Sequence, residues 1–168
     1  MLWVVDTNLL LITGGRHEDI SPTCIKACIL RLTEIQRKGC VALDDGYRIL
    51  SEYRNKTNPN RGKSPSQVFL KWLLRNQSNR ERYYLVRIIE HPQRGFESFP
   101  DDPDLIEFDP ADRKFVAVAA ACPEAPPILQ AADSKWWGWA EALARHSVRV
   151  EFLCPEDIER FRARKGAA

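Results

Sequence analysis

Leu2-Trp3-Val4-Val5-Asp6-Thr7-Asn8 is the stretch on which the reading of this chain turns. Its first four residues are apolar, as in a short strand buried on both faces, and a polar triplet follows where that strand should end. In open α/β sheets ligands bind beyond the carboxyl ends of the strands, so an acid at position 6 is placed to meet acids from neighbouring strands. Asp, Thr and Asn are also good N-cap residues, and the same triplet can simply start a helix. What decides between the two is whether the rest of the chain brings further acids to that edge.

Working outward, Leu9 to Ile12 reads as a short helix closed by Gly14-Gly15. Ser21-Pro22 opens a second helix that should stop at Gly39, with Ile25, Cys28, Ile29, Leu32 and Ile35 at helical spacing. Val41-Ala42-Leu43 is a second buried strand, followed by the turn Asp44-Asp45-Gly46 and a helix from about Tyr47 to Arg54 that carries Glu52. Thr57 to Ser66 is a polar loop, and a helix capped by Ser64 or Ser66 should follow it. The β-branched and aromatic residues of Tyr83 to Glu90 favour a strand. Phe99 to Pro110 holds acids and prolines but no basic residue, and reads as a surface loop. A helix over Ala111 to Ala121, a strand over Ile128 to Ala132 ending at Asp133, a helix capped by Ser134, a strand over Val148 to Leu153 and a terminal helix over Pro155 to Arg164 complete the chain. This alternation predicts a three-layer α/β/α fold with a central, mainly parallel sheet, in one domain over residues 1–168 with a basic insertion at about 56–94.

At 168 residues, 44% of them hydrophobic and 29% charged, the chain suits an ordinary globular domain that needs no metal or disulfide to fold. Five cysteines without a C-x-x-C pair point to a reducing, cytoplasmic setting. On this reading Cys24, Cys28 and Cys122 are core residues. No run of about 18 apolar residues is present, so no membrane partner is expected, and the apolar N-terminus lacks the basic segment of a secretory leader. Between Tyr53 and Arg94 ten Lys or Arg face two Glu, which gives that segment +8 and leaves the remainder at −6. A basic region beside an acidic one suits a polyanion held near a metal site, although a charge run is more often a solvated helix face.

Two predicted strands end in carboxylates, Asp6 and Asp133, and two predicted helices carry Glu52 and Asp112 close to the same edge. Four converging acids repel one another unless they hold cations. All-oxygen ligands suit Mg²⁺ or Mn²⁺, and a pair of such ions about 3.5–4 Å apart supports in-line attack of water on a phosphodiester. Arg113, Lys114, Lys135 and the basic segment are the candidates for contact with a nucleic-acid backbone.

The ordered set VVDTN at Val4 to Asn8, ILSEYR around Glu52, DPADRKFVAVAAA at Asp109 to Ala121 and ILQAADS at Ile128 to Ser134 resembles the PIN-domain nucleases, which include VapC-type toxins of bacterial toxin–antitoxin pairs. The resemblance implies Mg²⁺- or Mn²⁺-dependent cleavage of RNA, often by a homodimer. It makes Asp6, Glu52, Asp112 and Asp133 the metal-binding and catalytic acids, with Asn8 and Ser134 as polar supports at the substrate. It also implies an antitoxin protein as partner if the chain is a toxin. Ala131 and Lys135 depart from the pattern, standing where many members have a hydroxyl residue and a further acid. Lys135 lowers the site's negative charge and either weakens a second metal or contacts phosphate. The basic segment is longer than a minimal toxin requires.

Two other readings compete. A PIN-like module without catalysis would bind nucleic acid, DNA included, or a protein through the same surfaces. A HAD-type phosphatase also begins with a strand ending in Asp, but it needs a second Asp two residues on, where this chain has Asn8. Trp136, Trp137 and Trp139 can stack on bases. On a helix after a core strand, at least two of the three are expected to pack inward.

Overall fold

The computed structural model describes residues 1–17, 19–58, 60 and 62–167. Arg61 of the basic segment lies outside the described residues. Five strands form one all-parallel sheet in the order β3 (Tyr83–Val86), β2 (Cys40–Asp44), β1 (Leu2–Val5), β6 (Ile128–Gln130) and β7 (Val150–Phe152). With helices on both faces, the three central strands must be apolar on both sides. Val4, Val5, Val41, Ala42, Leu43, Ile128 and Leu129 are accordingly fully enclosed. The three-layer α/β/α architecture is the one the alternating pattern predicts, and the sheet is parallel throughout.

From β1 the chain moves outward through β2 to β3, then returns to the other side of β1 and continues outward through β6 to β7. The strand order reverses between β1 and β6, and that reversal opens a crevice at the carboxyl ends of these two strands. The helices α1 (Thr7–Thr13), α2 (Pro22–Lys38), α3 (Arg48–Thr57) and α4 (Pro65–Arg75) pack on one another, while α5 (Arg113–Ala121) lies on β1, β2 and β6. Ser21 caps α2, and Ser64 caps α4 in a capping box with Gln67. The last two helices, α6 (Ser134–Arg145) and α7 (Pro155–Ala167), pack together beside β7. A two-residue antiparallel ladder joins β4 (Glu90–His91) to β5 (Gly95–Phe96).

Four local expectations are revised. Residues 56–94, expected as a basic insertion, supply the edge strand β3 and helix α4, whose Phe69, Leu70 and Leu73 are enclosed in the core. Exposed cations remain on this segment at Lys56, Lys63, Arg75, Arg80 and Arg87, whereas Arg82 and Arg94 donate to backbone carbonyls. Phe99 to Pro110 is not a plain surface loop, because Phe99, Leu105 and Phe108 are buried and Phe108 packs on Trp136 and Trp139. Arg113, expected at the nucleic-acid backbone, is 8% exposed and donates to the carbonyls of Arg94, Ile106 and Phe108 while lying over the Phe99 ring. Its donors hold that loop and are not free for substrate. Finally, Cys24, read as a plain core residue, forms a disulfide with Cys154.

Candidate active site

Asp6 follows the last residue of β1, and its neighbour Val5 is in register with Leu129 of β6. The Asp6 carboxylate caps α1, accepting from the Asn8 amide at 2.9 Å. The capping role read from the triplet is therefore real, and it fixes the carboxylate at the carboxyl end of β1. Asn8 turns its side-chain amide to Gln130 Oε1 at 3.2 Å, and that oxygen also accepts from the Ala131 amide at 3.0 Å. Asp133 caps α6 in the same way, accepting from the Lys135 amide at 2.8 Å and the Trp136 amide at 3.4 Å.

Glu52 reaches the same edge from α3. It accepts from the Thr7 hydroxyl and from Lys114 Nζ at 3.0 Å, and Lys114 also donates to the Ala111 carbonyl. Asp112 closes the 3₁₀ turn that leads into α5, and its carboxylate accepts from the Trp136 indole at 3.3 Å. Trp136 is thus inward-facing, as expected for the tryptophan cluster, and it also fixes one of the acids. Trp139 packs on Phe108, and the more exposed Trp137 packs on Phe152.

The electrostatics of the crevice are those of crowded acids. Burial pushes the Asp6 carboxyl up to about 8, the charges of Asp112 and Asp133 push the same way, and the Asn8 amide and Gln130 oppose them. Burial raises Asp112 to about 6, with Asp109 and Glu52 adding to the rise and Trp136 and Lys114 opposing it. Asp6 therefore responds to Asp112 and Asp133, and Asp112 to Glu52. The structure brings the four sequence-predicted acids into one electrostatic neighbourhood. They do not form a closed ring: among the described residues, no three of them have ligand atoms all within 4.8 Å of one another. Each is drawn toward its own partner, Glu52 to Thr7 and Lys114, Asp112 to Trp136, and Asp133 to its helix amides. An all-oxygen donor set, one member buried and three half-buried, fits a hard divalent cation better than a thiophilic one.

Comparison with known proteins adds no relative. No family model, curated protein or solved structure matches the chain.

Two cavities flank the acids. One of about 440 Å³ is lined by Asn8, Asp133, Ser134, Lys165 and the Arg164–Asp19 ion pair (3.5 Å) among others. The other, of about 470 Å³, is lined by Glu52, Lys114, Arg48, Lys56 and Phe96 among others. Ser134 accepts from Lys165 Nζ at 3.0 Å, and Lys135 is exposed beside it. Sequence reasoning missed Thr7, Gln130, Arg164 and Lys165. Gln130 carried a readable signal, a polar residue closing an otherwise apolar strand. The two cations of α7 carried none, because their proximity to Asp133 depends on how the last helix packs.

Proposed function

We propose that the chain is a metal-dependent endoribonuclease of the PIN type, hydrolysing RNA phosphodiester bonds at the β1/β6 crevice. The observation that carries this reading is the gathering of acids where the strand order reverses: the buried Asp6 at the end of β1 feels the charges of the half-buried Asp112 and Asp133, and Asp112 feels that of Glu52. Asp6, Asp112 and Asp133, with Glu52 beside them, would hold Mg²⁺ or Mn²⁺. Such ions, when bound, lower the pKa of water and neutralise charge on the phosphodiester.

The protein's own groups do the positioning. The α1 and α6 amides hold Asp6 and Asp133 in fixed rotamers, the Trp136 indole holds Asp112, and Asn8 is held by Gln130 at the crevice wall. Lys135, Arg164 and Lys165 on one side and Lys114 on the other supply cations for the RNA backbone, replacing Arg113 in that role. Action on cytoplasmic RNA, homodimer assembly and capture by an antitoxin protein belong to the same proposal and rest on the motif resemblance. The Lys114–Glu52 ion pair favours a second reading, a catalytically weak PIN-like module that binds nucleic acid or a protein partner.

Incubating the purified chain with a mixed single-stranded RNA in Mn²⁺ separates the two. Cleavage abolished both by EDTA and by Asp112→Asn is the expected result. A folded protein that binds Mn²⁺ and RNA but leaves the RNA intact sinks the nuclease and leaves the binding module. A DNA strand of the same sequence tests the choice of substrate.

A further inference from the structure

Three cysteines meet far from the carboxylates. Cys24 and Cys28 stand one turn apart on α2, Cys154 immediately precedes α7, and the three sulfurs all lie within 4.8 Å of one another. All three residues are buried, at 2%, 0% and 4% exposure. Cys24 and Cys154 are joined, with their Cα atoms 5.3 Å apart, while Cys28 keeps its thiol. A cross-link needs two cysteines, and the third is not explained by it. Beside them lies a cavity of about 130 Å³ lined by Cys24, Cys154, Glu156 and Asp157 among others, which gives small solutes a path to the sulfurs.

We propose that in the reduced chain Cys24, Cys28 and Cys154 bind one thiophilic divalent cation of the zinc class, and that disulfide and metal site are alternative states of the same three sulfurs. The C-x₃-C spacing on one helix face plus a third sulfur from a distant segment is a zinc-type ligand arrangement. Zn–S bonds of about 2.3 Å place neighbouring sulfurs about 4 Å apart, inside the spread seen here. Three protein ligands leave a fourth position for water, and the cavity beside Cys24 and Cys154 has room for it. Sulfur donors select against Mg²⁺ and Mn²⁺, so this site is chemically separate from the carboxylate edge. Burial, aided by the charge of Asp157, pushes the free Cys28 thiol up to about 12.

The exchange balances. A dithiol reductant delivers two electrons and two protons, the Cys24–Cys154 bond breaks to give two thiols, and the reductant leaves as its own disulfide. Binding of the cation then releases three thiol protons and leaves three thiolates around a 2+ charge. The net −1 is buried near Asp157, whose own charge is paired with Arg160 at 3.1 Å.

The test uses the full chain, reduced with a dithiol, freed of it under anaerobic conditions, and titrated with Co²⁺ followed by Zn²⁺. One equivalent of Co²⁺ with sulfur-to-cobalt charge-transfer absorption, displaced by Zn²⁺ and absent from the oxidised protein, is expected. Cys28→Ser keeps both cysteines of the disulfide and should bind at least 100-fold more weakly, whereas Cys122→Ser should bind as the parent does. Cobalt bound without sulfur absorption, or equal binding by Cys28→Ser, overturns the proposal. If the reduced chain loses its fold, Zn²⁺ must restore it; a reduced chain that stays unfolded with Zn²⁺ overturns the proposal equally.

Discussion

Asp6 and Asp44 both stand at the end of a core strand, and they meet opposite kinds of charged neighbour. Each sits at the carboxyl end of a core strand and accepts from backbone amides of the helix that follows, Asp6 as the N-cap residue of α1 and Asp44 from three residues before the N-cap Tyr47 of α3. Asp44 accepts from the Arg48 and Ile49 amides, both at 2.9 Å, and from the Arg48 guanidinium at 3.2 Å, so its buried charge is fully matched. Asp6 is nearly as buried; that burial pushes its carboxyl up to about 8, and its charged neighbours Asp112 and Asp133 add to the rise. A strand-end aspartate with a built-in cation stabilises the fold. One surrounded by other acids is destabilised when ionised, and that debt is settled only by a bound cation.

The first way to break the comparison is Asp44→Ala. It removes three bonds to a fully buried carboxylate, two of them from the first amides of α3, and should cost about 3 kcal/mol in urea unfolding. Asp6→Asn should do the reverse, because the amide can still cap α1 while the repulsion disappears. Asp6 is raised from 3.8 to about 8, so above the lower value the unfolded chain has released a proton that the folded chain still holds. The stability this group contributes is whole at acidic pH and is lost as pH rises toward 8. Asp6→Asn should therefore stabilise the chain by about 2 kcal/mol at pH 7.5, with the gain vanishing toward pH 4. An Asp6→Asn variant destabilised as much as Asp44→Ala would show that both acids are structural.

The sequence carried the strand-end acids well, because a run of apolar residues followed by a capping triplet fixes both the burial of a strand and the place of the next side chain. Asp6 and Asp133 were readable in that way, whereas Glu52 and Asp112 were placed by their position near the start of predicted helices and by the motif resemblance. Asp44 was readable only as a turn residue, since its partner Arg48 is recruited by the start of α3. Arg113 was misplaced because the carbonyls that bind it come from Arg94 and from the Ile106 to Phe108 loop, whose path no local pattern encodes. Cys24 and Cys154, separated by 130 residues, give no periodic signal at all. What stayed hidden in each case is a contact between segments that pattern and propensity treat as independent.

Cations should sharpen the comparison by acting on one acid and not the other. At ten times its dissociation constant, Mn²⁺ stabilises a folded chain by about 1.4 kcal/mol. The thermal shift should grow from pH 5 to pH 8 as Asp112 and then Asp6 give up their protons. It should be lost in Asp6→Asn and retained, from a lower starting melting temperature, in the milder variant Asp44→Asn. Equal shifts in all three proteins would place the cation elsewhere.

The smallest effect concerns Lys114, which gives Glu52 the kind of partner that Arg48 gives Asp44. Its ion pair is partly solvent-exposed, so Lys114→Met should change stability by no more than about 1 kcal/mol. Its effect on cation binding is more informative. Lys114 holds Asp112 down against its neighbours, so its removal should push that carboxyl further up. At pH 8 the crevice then carries one more uncompensated negative charge, and Mn²⁺ affinity should rise about three- to tenfold, equivalent to roughly 1 kcal/mol. At pH 6 an extra proton must first be displaced from Asp112, and the gain should shrink. A loss of affinity at pH 8, measured by calorimetry, would mean that Lys114 holds Glu52 in position for the cation, as Arg48 holds Asp44 in place for the fold.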